Sequence, residues 1–199
     1  HLSVAVTLAA WGGLRWGEMV ELRRRDIDLD RRIVRVQRAR TRAAGGTAVK
    51  EPKSAAGHRD VVMPASSIKA LGRHLDDHVG RFPDSPLFPS AGRGAHLAYA
   101  SWSREWQKAR MAVGRPDLKF HDLRHTCGTY VAAMGGTVRD VQQRLGHSTT
   151  AAAMRYIDAI DGRAAMMADA LDSMMGAPVI PLRGAQRSQS APEWAEGAQ

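Results

Sequence analysis

A helical segment opens with Phe120-His121-Asp122-Leu123-Arg124-His125 and continues to Met134, where Gly135-Gly136 ends it. Its two histidines lie one helical turn apart, and the arginine stands just before the second of them. Polar side chains of this kind are unusual on an otherwise apolar helix. The segment therefore has a function beyond packing, and the sequence on either side of it predicts the rest of the fold.

Helices are predicted for most of the chain, and strands for one part of it. Glycines, prolines and a capping serine, Ser66, divide the helical segments. The predicted helices cover 2–11, 16–22, 67–79, 101–113, 120–134, 138–145, 149–159 and 161–175. Alternating and β-branched residues predict strands at 32–37, 47–49 and 58–63. The expected fold is mostly α with a small three-stranded antiparallel β-sheet (α+β). Aromatic side chains expected in its core are Trp102, Trp106 and Tyr130.

Composition and charge limit the possible functions. The chain has 199 residues, 44% of them hydrophobic, and its 29 Lys and Arg against 20 Asp and Glu give a net charge of +9. This excess favours a polyanionic partner, with nucleic acid ahead of an acidic membrane surface. One cysteine, Cys127, excludes a disulfide framework and indicates a reducing cytoplasm. The longest apolar run, Leu2 to Leu14, is too short to span a bilayer, so no membrane association is expected.

The chain is expected to form one domain over 1–176, followed by a disordered polar tail over 177–199 that is rich in Pro, Ser and Gln. It begins with His1 inside a helical pattern. We therefore expect an N-terminal part of a longer protein to precede it.

Four short stretches carry the candidate chemistry. They are Gly13-Leu14-Arg15-Trp16-Gly17-Glu18, Pro52-Lys53-Ser54, His121-Asp122-Leu123-Arg124-His125 and Leu145-Gly146-His147-Ser148. Tyr156 follows nine residues after His147. Each motif is weak alone, but their order and the position of this tyrosine are together a strong signal.

In these stretches the chain resembles the tyrosine recombinase (phage integrase) family over about residues 3–171. The resemblance implies the fold of the family's C-terminal catalytic domain, without the N-terminal domain that completes a clamp around DNA. It also implies a catalytic set in this order: Arg15, Lys53, His121, Arg124, His147 and Tyr156. Glu18 matches an acidic residue that supports the first arginine, and His125 matches a second histidine that is usually structural.

The resemblance implies that DNA is broken and rejoined through a 3′-phosphotyrosine. Tyr156 would be the nucleophile, His121 would assist its proton transfer, and His147 would hydrogen-bond the phosphate. Lys53 would protonate the 5′ oxygen that leaves. Independently of the family, two guanidiniums suit the charge that builds up on a phosphodiester in its transition state, which Arg15 and Arg124 would clamp.

Several alternatives stay open. Lys50 lies three residues before Lys53 and could take its place. The histidine spacing also fits a metal site, but a neighbouring arginine would repel a dication, so no metal and no other cofactor is expected. A non-catalytic DNA-binding protein with the same fold is the second candidate function.

Double-stranded DNA is the expected partner. Phosphate contacts are predicted for a basic cluster and for one lysine of the hairpin: Arg23, Arg24, Arg25, Arg35, Arg38, Arg40 and Lys50. The family acts as a homotetramer on paired DNA sites, and the 161–175 helix is the candidate contact between protomers. A cytoplasmic, nucleoid-associated location follows from these expectations.

Overall fold

The computed structural model describes residues 2–43, 46–50, 57–90, 96–160 and 162–175. Helices dominate it, as predicted. In chain order they are α1 (Leu2–Ala10), α2 (Trp16–Val20), α3 (Ala65–His78), α4 (Tyr99–Ala112), α5 (Phe120–Ala133), α6 (Val138–Leu145), α7 (Thr150–Asp158) and α8 (Arg163–Met175). No helix within these ranges is both long and apolar enough to cross a membrane.

The strands form two separate antiparallel groups. Strands β1 (Ile27–Asp28), β2 (Ile33–Val36) and β5 (Arg59–Val62) make a three-stranded sheet in the order β1-β2-β5. Strands β3 (Ala39–Ala43) and β4 (Gly46–Lys50) pair only with each other. A three-stranded sheet was predicted, but its membership was wrong: the predicted 47–49 strand belongs to the hairpin. Strands β1 and β3 were not predicted: β1 is too short to show a period, and the Ala-Arg-Thr-Arg-Ala sequence of β3 has no apolar alternation.

Two hydrophobic clusters fill the interior of the described body. The larger joins α1, α2, α3 and the three-stranded sheet, and it contains Trp102 with Trp106 packed against it. The smaller is built from α5, α6 and α7 around Val141, Leu145 and Tyr156. The core prediction for Tyr130 was wrong. Its side chain is 47% exposed and stacks on Trp11, because it points away from the smaller cluster.

Local sequence explains how α6 begins and ends. Thr137 and Asp140 cap its N-terminus reciprocally: the Thr137 hydroxyl accepts from the Asp140 backbone N–H, and the Asp140 carboxylate accepts from that of Thr137. Gly146 ends the helix in the left-handed conformation, with φ 63°. Directly after this turn, the His147 ring stacks on Tyr156 of α7. By contrast, the predicted N-cap Ser66 lies inside α3, which begins at Ala65 after Pro64.

The chain divides into two compact units, residues 1–161 and 162–199. The first contains both clusters and all candidate site residues; in the second the structure describes α8. The predicted boundary at 176 and the predicted tail lie outside the described residues.

Gly13 is a test of the junction between the two clusters. It has φ +68°, and a Cβ there would lie 2.5 Å from Cδ2 of Leu145 and 3.2 Å from Sγ of Cys127. Gly13→Ala is therefore expected to cost about 2–4 kcal/mol, from left-handed backbone plus overpacking. The measurement is the free energy of unfolding by equilibrium urea denaturation.

Gly114 is the matched control, since it has φ +69° and a Cβ there would meet nothing within 4 Å. Gly114→Ala is expected to cost only the backbone part, about 1–2 kcal/mol. Equal losses in the two variants would show that the contact with Leu145 is unimportant.

Candidate active site

Arg15 and Glu18 are joined at the start of α2. The Glu18 carboxylate accepts hydrogen bonds from the Arg15 backbone N–H at 2.9 Å and from its Nη1 at 2.7 Å. The Arg15 side chain remains 43% exposed, whereas that of Glu18 is only 5% exposed. Glu18 therefore fixes the base of Arg15 and leaves part of its guanidinium open to a ligand.

A third residue, Arg59, completes this group and was missed in the sequence. Its Nη1 and Nη2 donate to the same Glu18 carboxylate at 3.2 and 2.8 Å. Burial by itself raises the pKa of Glu18, but the hydrogen bonds and charges of Arg59 and Arg15 outweigh it and hold the pKa at about 2. The strand pattern could have indicated this partner. In β5, Arg59 lies on the buried face together with Val61, and a buried arginine needs a hydrogen-bonded or charged partner.

Arg124 lies deeper, on α5, and is 2% exposed. Its Nη1 donates to the carbonyl of Gly13, and its Nη2 donates to that of Leu145 at 2.6 Å. Burial lowers the pKa of Arg124 to about 10, with a further contribution from the charge of Arg15. The side chain is therefore still a cation at neutral pH, and it links the turn before Arg15 to the end of α6.

Tyr156 lies between two histidines. Its hydroxyl is 2.8 Å from Nδ1 of His125, and its ring stacks on that of His147 with centroids 6.0 Å apart. A Cβ at Gly128 would lie 2.6 Å from the Tyr156 ring, so this glycine makes room for it. Burial raises the pKa of Tyr156. The phenol is thus protonated at neutral pH and needs an acceptor before it can attack.

The contact between His125 and Tyr156 differs from the expectation. The resemblance implied that His121 assists the proton transfer and that His125 is structural. In the structure His121 meets the edge of the His125 ring, with centroids 4.8 Å apart. Both histidines lie on one side of α5, and the tyrosine comes from α7, so sequence spacing alone did not show which one it reaches.

His147 adds a neutral polar group beside the two arginines. Burial and then the charges of Arg124 and Arg15 lower its pKa to about 4. Its Nδ1 is buried without a hydrogen-bond partner among the described atoms. At neutral pH the imidazole is therefore available to hydrogen-bond a ligand. An open cavity of about 740 Å³, lined in part by Arg59, Gln142, His147 and Thr150, adjoins it.

The two candidate lysines are described only in part. Lys53 lies outside the described residues, and Lys50 ends β4, where its backbone pairs with Ala39. The hairpin itself is held against α2: Arg40 Nε donates to Glu21 at 2.6 Å, and a Cβ at Gly17 would lie 2.2 Å from the Arg40 carbonyl oxygen. The choice between the two lysines stays a prediction.

The arginines of the basic cluster bind to the protein itself. Arg24 donates to the carbonyls of Gly80 and Leu75. The others pair with carboxylates: Arg23 and Arg25 with Asp84, Arg35 with Asp28, Arg38 with Asp26, and Arg40 with Glu21. They therefore stabilise the fold, and their contact with DNA stays a prediction. Within the described ranges, no three His, Cys, Asp or Glu side chains are grouped to hold a metal ion.

The chain is similar in sequence to known integrases. The model of the phage integrase family matches residues 1–163. The putative prophage phiRv2 integrase of Mycobacterium tuberculosis is 48% identical over 159 residues, covering 79% of this chain and 42% of that protein. The integrase of Mycobacterium phage L5 is 30% identical over 178 residues, 87% of this chain and 48% of that protein. The chain thus spans less than half the length of these two relatives.

Solved structures share the fold. The Tn1549 transposon integrase, in complex with circular intermediate DNA, has a TM-score of 0.70 at 22% identity, over 84% of this chain and 59% of that chain. The XerA recombinase has a TM-score of 0.63 at 28% identity, over 85% of this chain and 57% of that chain. The expected tyrosine recombinase catalytic-domain fold is confirmed.

The pKa of Glu18 predicts how stability depends on pH. Because folding lowers this pKa from 4.5 to about 2, the ionised carboxylate stabilises the protein above 4.5, and this contribution is lost as pH falls toward 2. Glu18→Gln is expected to be ~3 kcal/mol less stable than wild type near neutral pH, and the difference should shrink on acidification. Urea denaturation across this range measures it.

Glu105→Gln is the control for that experiment, since this carboxylate is 58% exposed and pairs only with Lys108 on the surface. We expect its stability to follow wild type at every pH. A constant difference between wild type and Glu18→Gln would contradict the shifted pKa.

Proposed function

Because the chain belongs to the phage integrase family, we propose that it is the catalytic part of a site-specific DNA recombinase, an integrase that breaks and rejoins DNA. The observation that carries the proposal is the contact between the Tyr156 hydroxyl and His125, 2.8 Å long, beside two arginines. A tyrosine with a proton acceptor and adjacent guanidiniums is suited to attack a phosphodiester.

Arg15 and Arg124 bind the phosphate in this proposal. Both are permanently charged at neutral pH and approach the turn at Gly146, where Arg15 Nη2 lies 3.4 Å from the Gly146 carbonyl oxygen. Their fork-shaped donors stabilise the negative charge that grows on the non-bridging oxygens, and His147 adds a neutral hydrogen bond. The proposed reaction needs no metal ion and no nucleotide cofactor.

In the covalent step, the phosphoryl group is transferred from the 5′ oxygen of the DNA to Tyr156. The Tyr156 oxygen bonds to phosphorus, and the bond from phosphorus to the 5′ oxygen breaks. The tyrosine proton passes to Nδ1 of His125, which accepts it when the neutral ring carries its own proton on Nε2. The leaving 5′ oxygen takes a proton from Lys53, a role that rests on the sequence alone. The phosphotyrosine conserves the bond energy, so attack by another 5′ hydroxyl rejoins the DNA.

The assembly proposed is double-stranded DNA with four copies of the protein on paired sites. Residues 1–176 are the catalytic domain, and α8 is the candidate contact between protomers. Such a protein would act in the cytoplasm, on the nucleoid.

Tyr156→Phe tests the proposed function directly. Labelled genomic DNA fragments are incubated with wild type or variant in EDTA, and the products are separated on a denaturing gel. We expect a slow-migrating covalent adduct from wild type and none from the variant, because phenylalanine lacks the attacking oxygen. DNA binding by both proteins, measured by gel shift, is the control.

Each other outcome has a defined meaning. Binding without any adduct, from this chain and from a longer protein that includes the N-terminal region, would favour the non-catalytic alternative. DNA cleavage that leaves no adduct, persists in Tyr156→Phe and is abolished by EDTA would indicate a metal-dependent phosphoesterase.

His125→Asn and His121→Asn test which histidine takes the proton. Cleavage of the DNA fragment recovered from the adduct is followed in single turnover as a function of pH. We expect His125→Asn to slow cleavage by about 10²–10⁴-fold, and the loss to diminish at high pH, where hydroxide replaces the lost base. His121→Asn should lose less. The reverse ranking would return the role to His121.

A further inference from the structure

We propose that Arg59 is a positioning residue for DNA cleavage, which holds Arg15 toward the phosphate by acting through Glu18. The inference rests on the proposed function and deepens it, since it assigns a role to a residue outside the catalytic set. It follows from the contacts, the burial and the charge of three side chains.

The contacts form a chain from a buried residue to an open one. Arg59 has a side chain only 4% exposed and reaches Glu18 with both terminal nitrogens. Glu18 in turn holds the backbone and the side chain of Arg15. A two-point contact fixes the plane of the carboxylate, which a single hydrogen bond would leave free to rotate. The orientation of Arg15 therefore depends on Arg59.

The charges give Arg59 a second effect on the same site. Two guanidiniums and one carboxylate leave this group with one positive charge. Without Arg59 the group is neutral, and a buried carboxylate that has lost a partner draws Arg15 more strongly to itself. Arg15 would then offer less of its charge to a phosphate. Arg59 thus supplies hydrogen bonds and positive charge to the Glu18 carboxylate, so that the Arg15 guanidinium stays available to bind a phosphate.

Arg59 also contacts the other half of the site. Its Nε donates to the carbonyl of Arg144 at 3.0 Å, and the next carbonyl along, that of Leu145, accepts from Arg124. Arg59 comes from β5, whereas these carbonyls end α6. One side chain therefore links the support of both phosphate-binding arginines.

A charge-balanced pair of variants separates positioning from simple stabilisation. Arg59→Gln leaves the group neutral, whereas Glu18→Gln together with Arg59→Gln restores one positive charge on Arg15. We expect Arg59→Gln to slow single-turnover cleavage of the recovered DNA fragment by about 10²-fold, with DNA affinity nearly unchanged. The double variant should be about tenfold faster than Arg59→Gln alone, despite having lost one more native side chain.

Arg59→Lys keeps the charge without the two-point contact, and it should fall between wild type and the double variant. If Arg59→Gln is too unstable to purify, Arg59→Lys replaces it in the test. The proposal then requires that Arg59→Lys cleave DNA more slowly than wild type and bind DNA with unchanged affinity. The proposal is overturned if the double variant is no faster than Arg59→Gln, or if Arg59→Lys cleaves like wild type. If neither this chain nor the longer protein forms a Tyr156 adduct, the proposed function itself is overturned, and this proposal with it.

Discussion

The arrangement of the site depends on one buried guanidinium, that of Arg124. A charged group leaves water only when polar partners compensate it, and Arg124 donates from Nη1 and Nη2 to the carbonyls of Gly13 and Leu145. One carbonyl lies two residues before Arg15, and the other lies two residues before His147. The hydrogen bonds of this one buried charge therefore fix the position of Arg15 relative to His147, although the two residues are more than a hundred residues apart in sequence.

A second consequence is an excess of positive charge within a small volume. Arg15 and Arg59 both donate to the Glu18 carboxylate, whereas Arg124 donates to backbone carbonyls, and the lowered pKa of Arg124 reflects burial together with repulsion from Arg15. In the proposed function, a bound phosphate would supply the negative charge that balances this excess. Because the side chains are already oriented by carbonyls and by Glu18, little reorganisation would then be needed when the charge of the transition state develops.

The resemblance to the family named Arg124, His147 and Tyr156 as site residues, and the structure brings the three close together. Their roles stay predictions. Arg59 and the partner of Tyr156 were missed because both depend on contacts between elements that lie far apart in sequence. The same reason explains the error in the sheet. Strand pairing is a long-range property, and charged strands such as β3 lack the apolar alternation that reveals a buried face.

Tyr156 shows why packing and chemistry are inseparable here. Its ring belongs to the smaller hydrophobic cluster, where it meets Gly128, while its hydroxyl reaches His125. The apolar surroundings raise the pKa of the phenol. In the proposed function, a phosphate held by Arg15 and Arg124 would place an electrophilic phosphorus next to the Tyr156 oxygen. The same arginines would stabilise the negative charge that develops on the phosphate oxygens during attack. In the proposed function, the reactivity of the tyrosine would therefore depend on bound DNA.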